Sequence, residues 1–196
     1  MNVIPTPIAD VLILEPNVFG DNRGFHLESW NAKRLNDAIG HAVTFVQDNH
    51  SRSRHGVLRG LHFQRIQPQG KLVRVTQGRV FDVAVDIRRD SPTFGAWIGA
   101  ELTAEKGEQL FIPSGYAHGF LTLEDDTEVA YKVDAYYAPE ADGGIAWNDS
   151  TIGIDWPLEG RAPLLSDKDK NLPMLEDANI DFPYDGNSLQ PLKFPK

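Results

Sequence analysis

The chain has 196 residues, of which 41% are hydrophobic and 24% are charged, so its length suits one compact domain and its composition excludes an intrinsically disordered protein. Acidic residues outnumber basic ones by 28 to 19, and the net charge of −9 argues against a nucleic-acid partner. There is no cysteine, which excludes disulfides and thiolate metal ligands.

The sequence has no apolar run of the roughly 18 residues that a membrane span needs, so we expect no membrane partner. Residues 1–14 lack the basic and apolar regions of a secretory signal. We therefore expect a cytoplasmic protein.

The 13 proline and 17 glycine residues recur at short intervals, which is typical of an all-β sandwich or barrel. One helix is predicted near the front, at residues 30–39 with Ser29 as its N-cap, and we expect it to pack across a sheet. Strands are predicted at residues 11–14, 43–47, 57–63, 71–76, 80–87, 96–102, 108–112, 117–123 and 128–134.

The strand at residues 80–87 has the clearest alternation. Its apolar side chains fall on one face, while Asp82 and Asp86 fall on the other, so we expect one face to look inward and the other to be polar. After about residue 155 the chain becomes rich in proline and aspartate. We interpret this part as a tail that wraps a single domain spanning residues 1–196.

Gly107, Pro113, Gly115 and His118 have the spacing G-x5-P-x-G-x2-H, which resembles the second motif of the cupin superfamily. In metal-binding cupins this histidine joins an H-x-H pair and a glutamate from an earlier strand pair. The candidate region here offers only His62, and no acidic residue follows it up to Val80. We therefore expect no metal site, and a lone His118 is equally compatible with a structural role.

The segment at residues 57–76 concentrates basic and titratable groups in an acidic protein: Arg59, His62, Lys71 and Arg74. The segment resembles a hairpin, and its charge indicates either an anionic ligand or a solvated charged edge. Strict alternation places Arg59 and His62 on opposite faces of a strand. A shared site therefore requires a bulge, for which Gly60 is the obvious place.

Eight motifs follow one another along nearly the whole chain: GDNRG (20–24), QDNHS (47–51), LRGLHFQ (58–64), GKLVRV (70–75), IPSGYAHGF (112–120), YKVDAYYAPE (131–140), IAWND (145–149) and LLSDKD (164–169). In this order they resemble the dTDP-4-dehydrorhamnose 3,5-epimerase family. The resemblance implies an all-β, cupin-type jelly roll, or double-stranded β-helix, with a few short peripheral helices. It also implies catalysis without metal or cofactor, and a homodimer in which an N-terminal strand can be exchanged.

The implied substrate is dTDP-4-keto-6-deoxy-D-glucose, whose C4 ketone acidifies the protons at C3 and C5. Removal of each proton and return from the opposite face would give dTDP-4-dehydro-L-rhamnose. By position in the motifs, His62 is the implied base, Asp169 orients it, Tyr131 is the acid on the far face, and Lys71 stabilises the enolate oxygen.

The resemblance also implies a set of substrate-binding residues, with two arginines at the phosphates and Tyr137 stacked on thymine. The set is Arg23, Glu28, Gln47, Asn49, Arg59, His118, Tyr137, Asp142 and Lys168. Taken singly, Tyr131 and Tyr137 fit packed strand residues, and Asp169 fits a helix cap or loop residue. Only the combination of motifs assigns them to a site.

One departure from the family pattern follows residue 140. The family usually has Glu-Arg-Gly where this chain has Asp142, Gly143 and Gly144. The Asp142 carboxylate reaches one methylene less, which puts its contact with the nucleotide in question, and loss of the arginine charge would loosen the loop.

Three alternative functions stay open at this point. A single-centre epimerase of another dTDP-deoxysugar would use the same histidine, aspartate, tyrosine and lysine. A non-catalytic nucleotide-sugar-binding cupin would need no matched acid and base. A metal-dependent cupin oxygenase or isomerase would need ligands that the sequence lacks.

Overall fold

Two antiparallel sheets form the body of the protein in the computed structural model, which describes residues 1–184 and residue 186. The six-stranded sheet has the order β1 (Asn2–Pro5), β2 (Leu12–Glu15), β11 (Gln109–Ile112), β7 (Lys71–Gln77), β13 (Thr127–Val133) and β5 (Gln47–Ser53). The five-stranded sheet has the order β10 (Trp97–Thr103), β8 (Arg79–Asp86), β12 (Tyr116–Thr122), β6 (Leu58–Gln64) and β14 (Asp142–Gly144).

The remaining elements are small. β3 (Val18–Asp21) and β4 (Gly24–Leu27) form an isolated hairpin, and β9 (Arg88–Arg89) pairs in parallel with β15 (Phe182–Pro183). The helices are α1 (Ala32–Ile39) and α2 (Asp167–Lys170), with one 3₁₀ turn at Pro139–Ala141. No helix in this described part of the chain is long and apolar enough to cross a bilayer. The all-β class with short peripheral helices is thus confirmed.

The two sheets bury one core between them. Val73 and Val129 from the six-stranded sheet meet Ala84 and Phe120 from the five-stranded sheet in a single cluster of buried side chains. Alternation along each strand sends every second side chain into this core. Polar residues replace the apolar ones at one end of the space, and the candidate site lies there.

The helix α1 covers the outer face of the six-stranded sheet. Its buried Leu35 and Ile39 pack on Leu72 and Phe111, which confirms that the helix crosses a sheet. The predicted start at residue 30 and the predicted Ser29 cap are wrong.

The helix begins after Asn31, because this residue has an extended backbone with φ of −147° and its side chain accepts a hydrogen bond from the Arg34 amide. Ser29 lies outside the helix, and its carbonyl accepts a hydrogen bond from Gln109. The helix ends at Gly40, whose φ of 80° is a left-handed conformation that suits glycine.

The outer face of the five-stranded sheet is covered by the segment that follows residue 155. Trp156, Leu175, Ile180 and Phe182 join the cluster of buried side chains on that face. This segment is the part of the predicted wrapping tail that the structure describes. The rest of that prediction, at residue 185 and at residues 187–196, lies outside the described residues.

Eight of the nine predicted strands agree with the structure to within one residue at each end. The predicted strand at residues 43–47 is wrong, because the strand begins at Gln47 and runs to Ser53. This strand, β5, consists of polar residues, so a search for apolar alternation stops at its first residue. Six short strands were not predicted: β1, β3, β4, β9, β14 and β15.

The sidedness predicted for the strand at residues 80–87 is also wrong. The apolar side chains of its outer face, among them Val83 and Val85, are buried beneath the C-terminal segment, whereas Ala84 faces the interior. Asp82 and Asp86 face the interior, and both are completely buried. Both faces of a strand are buried when each is covered by another layer, and this strand has a layer on either side.

The predicted hairpin of basic residues does not exist. β6 and β7 belong to different sheets, so Arg59 and Lys71 face each other across the interior instead of sharing a ribbon. Arg74 lies on the outer face of the six-stranded sheet, in a separate cavity. The local pattern did not show which strands pair, because pairing depends on contacts between distant residues.

Candidate active site

A cavity of about 570 Å³ opens between the two sheets at their polar end. All four residues predicted to be catalytic line it, together with five of those predicted to bind substrate. The nine residues are Arg59, His62, Lys71, His118, Tyr131, Tyr137, Asp142, Lys168 and Asp169. They come from both sheets, from α2 and from the loop before β14.

His62 on β6 is paired with Asp169 on α2. Its Nε2 lies 2.6 Å from the Asp169 Oδ1. Proton exchange with a bound molecule would therefore use the other ring nitrogen, Nδ1. Ser166 caps α2 by accepting a hydrogen bond from the Asp169 amide. Burial acts to raise the pKa of the Asp169 carboxyl, but the hydrogen bond and charge of His62 and the hydroxyl of Ser166 outweigh it and lower that pKa. Asp169 is therefore ionised.

His118 on β12 forms a second pair with Asp82 on β8. The His118 Nε2 lies 2.8 Å from the Asp82 Oδ1, and both side chains are buried. Burial lowers the pKa of His118 against the raising effect of Asp82, so this imidazole is neutral at pH 7. Within the described residues, no group of three or more histidine, aspartate or glutamate side chains could hold a metal ion.

The bulge predicted at Gly60 is confirmed. His62 lies opposite His118 and Arg59 lies opposite Phe120, so the register between β6 and β12 shifts by one residue between these pairs. Gly60 has φ of 127°, and a Cβ there would lie 2.5 Å from the Gly119 Cα, so only glycine fits. The shift turns both Arg59 and His62 toward the cavity.

Lys71 and Tyr131 occupy the opposite wall, on β7 and β13 of the six-stranded sheet. The Lys71 Nζ donates to the carbonyl of His62 across 3.4 Å. Burial lowers the pKa of Lys71 to about 8, against the raising effect of Asp82 and two other carboxylates. Burial also raises the pKa of Tyr131, although the positive charge of Arg59 acts in the other direction. Tyr131 therefore holds its proton at pH 7.

The walls together carry the groups that carbon-acid chemistry needs. One wall holds an imidazole paired with an ionised carboxylate, and the other holds a protonated phenol. A mainly charged ammonium group lies at the same cavity and can stabilise a developing oxyanion. The arrangement can remove a proton from one face of a bound molecule and deliver one to the other.

A group of hydrogen-bonded side chains lies at the mouth of the cavity. The Lys168 Nζ donates to the Asp142 Oδ2, and the Tyr137 hydroxyl donates to the same oxygen across 3.4 Å. The Tyr137 amide donates to the Gln47 side chain across 3.0 Å, so Gln47 supports the mouth without lining the cavity. The Asp142 carboxylate, where this chain departs from the family pattern, is thus engaged within the protein.

The chain is similar to known proteins over most of its length. The family model described as dTDP-4-dehydrorhamnose 3,5-epimerase matches residues 5–177. The chain belongs to the dTDP-4-dehydrorhamnose 3,5-epimerase family. Its members are isomerases, and the cupin-type jelly roll predicted from the sequence is confirmed by their solved structures.

Three relatives illustrate the range of this epimerase family. The dTDP-4-dehydrorhamnose 3,5-epimerase of Salmonella typhimurium is 58% identical and covers 91% of this chain and 97% of its own. The crystal structure of dTDP-6-deoxy-D-glucose-3,5-epimerase RmlC from Legionella pneumophila Philadelphia 1, in complex with dTDP-4-keto-L-rhamnose, has a TM-score of 0.87 at 50% identity and covers 90% of this chain and 93% of its own. The structure of ChmJ from Streptomyces bikiniensis, a 3'-monoepimerase in complex with dTDP-quinovose, has a TM-score of 0.83 at 35% identity. It covers 88% of this chain and 87% of its own.

Besides Gln47, three further residues that the epimerase family pattern implies at the substrate do not line the cavity of this single chain. Arg23 lies on the exposed β3–β4 hairpin and pairs with Asp21. Glu28 follows that hairpin and pairs with Arg34 across 3.1 Å. Asn49 accepts a hydrogen bond from Gln47 and borders the second cavity, on the six-stranded sheet.

Sequence reasoning missed several polar residues of the epimerase cavity. Ser51 lines it, and its buried hydroxyl has no hydrogen-bond partner among the described residues. Gln64 also lines it and secures the mouth loops, because its side chain donates to the carbonyls of Gln67 and Tyr136. The signal for Ser51 was its place in the QDNHS motif, two residues beyond Asn49 on the same face of β5.

Proposed function

We propose that this protein inverts C3 and C5 of dTDP-4-keto-6-deoxy-D-glucose and so forms dTDP-4-dehydro-L-rhamnose. The observation that carries the proposal is the placement of His62 and Tyr131 on opposite walls of one cavity, with Asp169 paired to His62. Epimerisation needs a base on one face of the sugar and an acid on the other, because one group cannot readily reach both faces.

His62 is the proposed base. It removes the proton at C3 or C5, and the C–H electron pair moves toward C4 to give an enolate. The ionised Asp169 holds the ring and stabilises the imidazolium that results. Tyr131 then donates its proton to the same carbon from the far face. Before the second inversion, the His62 imidazolium releases its proton to solvent and the Tyr131 phenolate takes one up from solvent. The raised pKa of Tyr131 keeps this proton available.

Lys71 is the proposed partner of the C4 oxygen. Its ammonium lies at the same cavity and is mainly charged below pH 8, since its pKa is about 8. Charge that develops on the ketone oxygen would meet a preorganised cation in a buried space, where such an interaction is strong. His118 is proposed to hydrogen-bond the sugar as a neutral group, consistent with its lowered pKa.

The nucleotide is proposed to lie toward the mouth. Arg59 would hold the diphosphate, Tyr137 would stack on the thymine, and Lys168 would contribute a positive charge near it. Asp142 would support Tyr137 and Lys168, to which it is already hydrogen-bonded. A nucleotide-sugar substrate suits the cytoplasmic location expected from the sequence.

We further propose that the protein works as a homodimer and that the second copy supplies Arg23 and Glu28. The hairpin that precedes Glu28 exposes Phe19 and Phe25, with 65% and 71% of their surfaces accessible. Large exposed aromatic side chains are typical of a surface that meets a partner. Mixing an Arg23→Ala variant with a His62→Ala variant should restore activity by forming hybrid dimers with one complete site. Activity no greater than that of the separate variants would contradict this exchange.

A single-centre epimerase is the second candidate, because the 3'-monoepimerase ChmJ shares this fold with a TM-score of 0.83. Proton NMR of dTDP-4-keto-6-deoxy-D-glucose, incubated with chelator-treated protein in D₂O, separates the two. Deuterium at both C3 and C5, lost in His62→Ala, supports the proposal. Deuterium at one carbon supports the single-centre reaction, and no exchange despite tight binding supports a non-catalytic cupin.

A further inference from the structure

We propose that Ser53 is a positioning residue that orients the Arg59 guanidinium toward the diphosphate of the substrate. The inference rests on the proposed function, because it assumes that Arg59 meets the diphosphate. Ser53 is the last residue of β5, and its side chain is buried. It lies outside the motifs that carry the family resemblance.

The contact is specific in geometry. The Ser53 Oγ accepts two hydrogen bonds from the same guanidinium, from Nε at 3.2 Å and from Nη2 at 3.0 Å. Because the guanidinium is planar, two bonds from one edge to one atom define both its direction and its plane. The remaining N–H groups of the fork are left for another acceptor.

The contact also joins the two sheets. Ser53 pairs with Thr127 at the end of the six-stranded sheet, and Arg59 lies on β6 of the five-stranded sheet. The Gly60 bulge brings Arg59 to the cavity side, but it does not select a rotamer of this long side chain. The Ser53 hydroxyl supplies that selection from the opposite sheet.

Among the residues that the structure describes, Ser53 alone forms a side-chain hydrogen bond with Arg59. No carboxylate of the described residues forms an ion pair with Arg59, whereas the buried Arg88 is held by Asp10 and Asp86. A cavity guanidinium without a carboxylate partner is available to an anionic ligand. Ser53, a neutral acceptor, fixes the position of this charge without neutralising it.

The hydrogen bond to Arg59 is not shared by Ser51, the other serine of β5. Ser51 lies two residues earlier on the same face of the strand, and its buried hydroxyl has no partner among the described residues. Of the two hydroxyls, only that of Ser53 is engaged by Arg59. The expected effect of removing Ser53 is therefore confined to ligands that use Arg59.

The test measures binding of dTDP and of thymidine, by calorimetry, to the full-length protein and to Ser53→Ala. The Kd for dTDP should rise about 3- to 10-fold, as expected for one lost orienting hydrogen-bond acceptor. The Kd for thymidine, which has no diphosphate, should stay unchanged. In kinetics, KM should rise by the same factor while kcat stays within about twofold.

Two further variants separate positioning from a structural role. In an Arg59→Met background, Ser53→Ala should add no further loss of dTDP affinity, because its effect acts through Arg59. Ser91→Ala is the matched control. Ser91 is a buried serine whose hydroxyl donates to Asp86 across 2.6 Å, and it does not line the cavity. It should leave the affinity for dTDP unchanged.

Three outcomes would overturn the inference. Ser53→Ala could leave the Kd for dTDP unchanged, or it could raise the Kd for thymidine by the same factor. It could also raise the Kd for dTDP further in the Arg59→Met background. Failure of the inference can be told apart from failure of the proposed function. Absence of deuterium exchange by the unmodified protein contradicts the reaction, while a diphosphate-specific effect of Ser53→Ala still supports the positioning role. An unmodified protein that binds no dTDP contradicts both.

Discussion

Two His–Asp pairs at the cavity have the same composition and different surroundings. His62 and His118 lie opposite each other on adjacent strands, and each ring lies within 2.8 Å of a carboxylate oxygen. The side chain of His62 is 32% exposed and that of His118 is 7% exposed. Asp169 comes from a helix at the cavity, whereas Asp82 comes from inside a strand.

The difference shows that burial, rather than residue type, separates the roles proposed for the two histidines. Burial lowers the pKa of His118, so this ring is neutral and suits hydrogen bonding. His62 is accessible and faces an ionised carboxylate, so it suits proton exchange. Substitution of residues in both pairs and at Lys71, together with the pH dependence of the rate, tests this division of roles.

Replacing His62 by asparagine should have the largest effect. Loss of a general base typically costs about 10²- to 10⁴-fold in rate, and we expect kcat for exchange at C3 and C5 to fall within that range. The affinity for dTDP should stay the same, because the nucleotide is proposed to bind toward the mouth of the cavity, at Arg59 and Tyr137. NMR exchange rates and calorimetry measure the two quantities, and a matching loss of dTDP affinity would contradict the proposed role.

Lys71→Ala should be slow and still folded. Removal of one preorganised oxyanion partner costs about 2.7 to 4 kcal/mol, which corresponds to about 10²- to 10³-fold in kcat. The variant leaves a buried space but removes a buried charge, so folding should survive. Circular dichroism that shows an unfolded variant would refute this expectation.

Asp169→Asn keeps the shape of the side chain and removes its charge. A hydrogen bond to a charged group contributes about 1.5 to 3 kcal/mol, so kcat should fall about 10- to 150-fold. The matched variant is Asp82→Asn, which makes the same change in the other pair. Steady-state kinetics should show a smaller fall in kcat for Asp82→Asn, and a larger one would reverse the roles assigned to the two pairs.

The pH dependence should report Lys71. Its pKa is lowered to about 8, so the ammonium is present below that pH and is lost above it. The rate of the unmodified protein should therefore fall about tenfold for each pH unit above the pKa. In Lys71→Arg the fall should move to higher pH, because a guanidinium stays charged there. If the rate of Lys71→Arg falls over the same pH range as that of the unmodified protein, the fall belongs to another titrating group.

His118→Asn should have the smallest effect. A neutral hydrogen bond contributes about 0.5 to 1.5 kcal/mol, so KM should rise about 2- to 13-fold while kcat changes little. The measurement is the same steady-state assay that is used for Asp169→Asn. A fall in kcat as large as that of His62→Asn would show that both histidines exchange protons.

Local patterns predicted the strands well where one face is apolar. Eight strands agree to within one residue, and the break at Gly60 followed from the need to place Arg59 and His62 together. The polar strand β5 was misplaced, because a strand that lines a polar cavity lacks the apolar alternation that identifies strands.

The candidate site was predicted from motif resemblance more than from residue patterns. Nine of its thirteen residues line one cavity, but Ser51 and Ser53 were overlooked. Serine is common on protein surfaces, and nothing in its local sequence distinguishes a buried hydroxyl from a solvated one. The role of Ser53 depends on Arg59, which comes from the other sheet and donates two hydrogen bonds to the Ser53 hydroxyl.

The amino-acid sequence establishes which chemical groups are present: no thiol, an incomplete set of cupin metal ligands, and a histidine, tyrosine, lysine and aspartate in family order. The tertiary structure alone decided that His62 and Tyr131 face each other, that Asp82 points inward, and that burial lowers the pKa of Lys71. The reason is that facing and burial arise from pairing between strands far apart in the chain, which the period of a single strand does not encode.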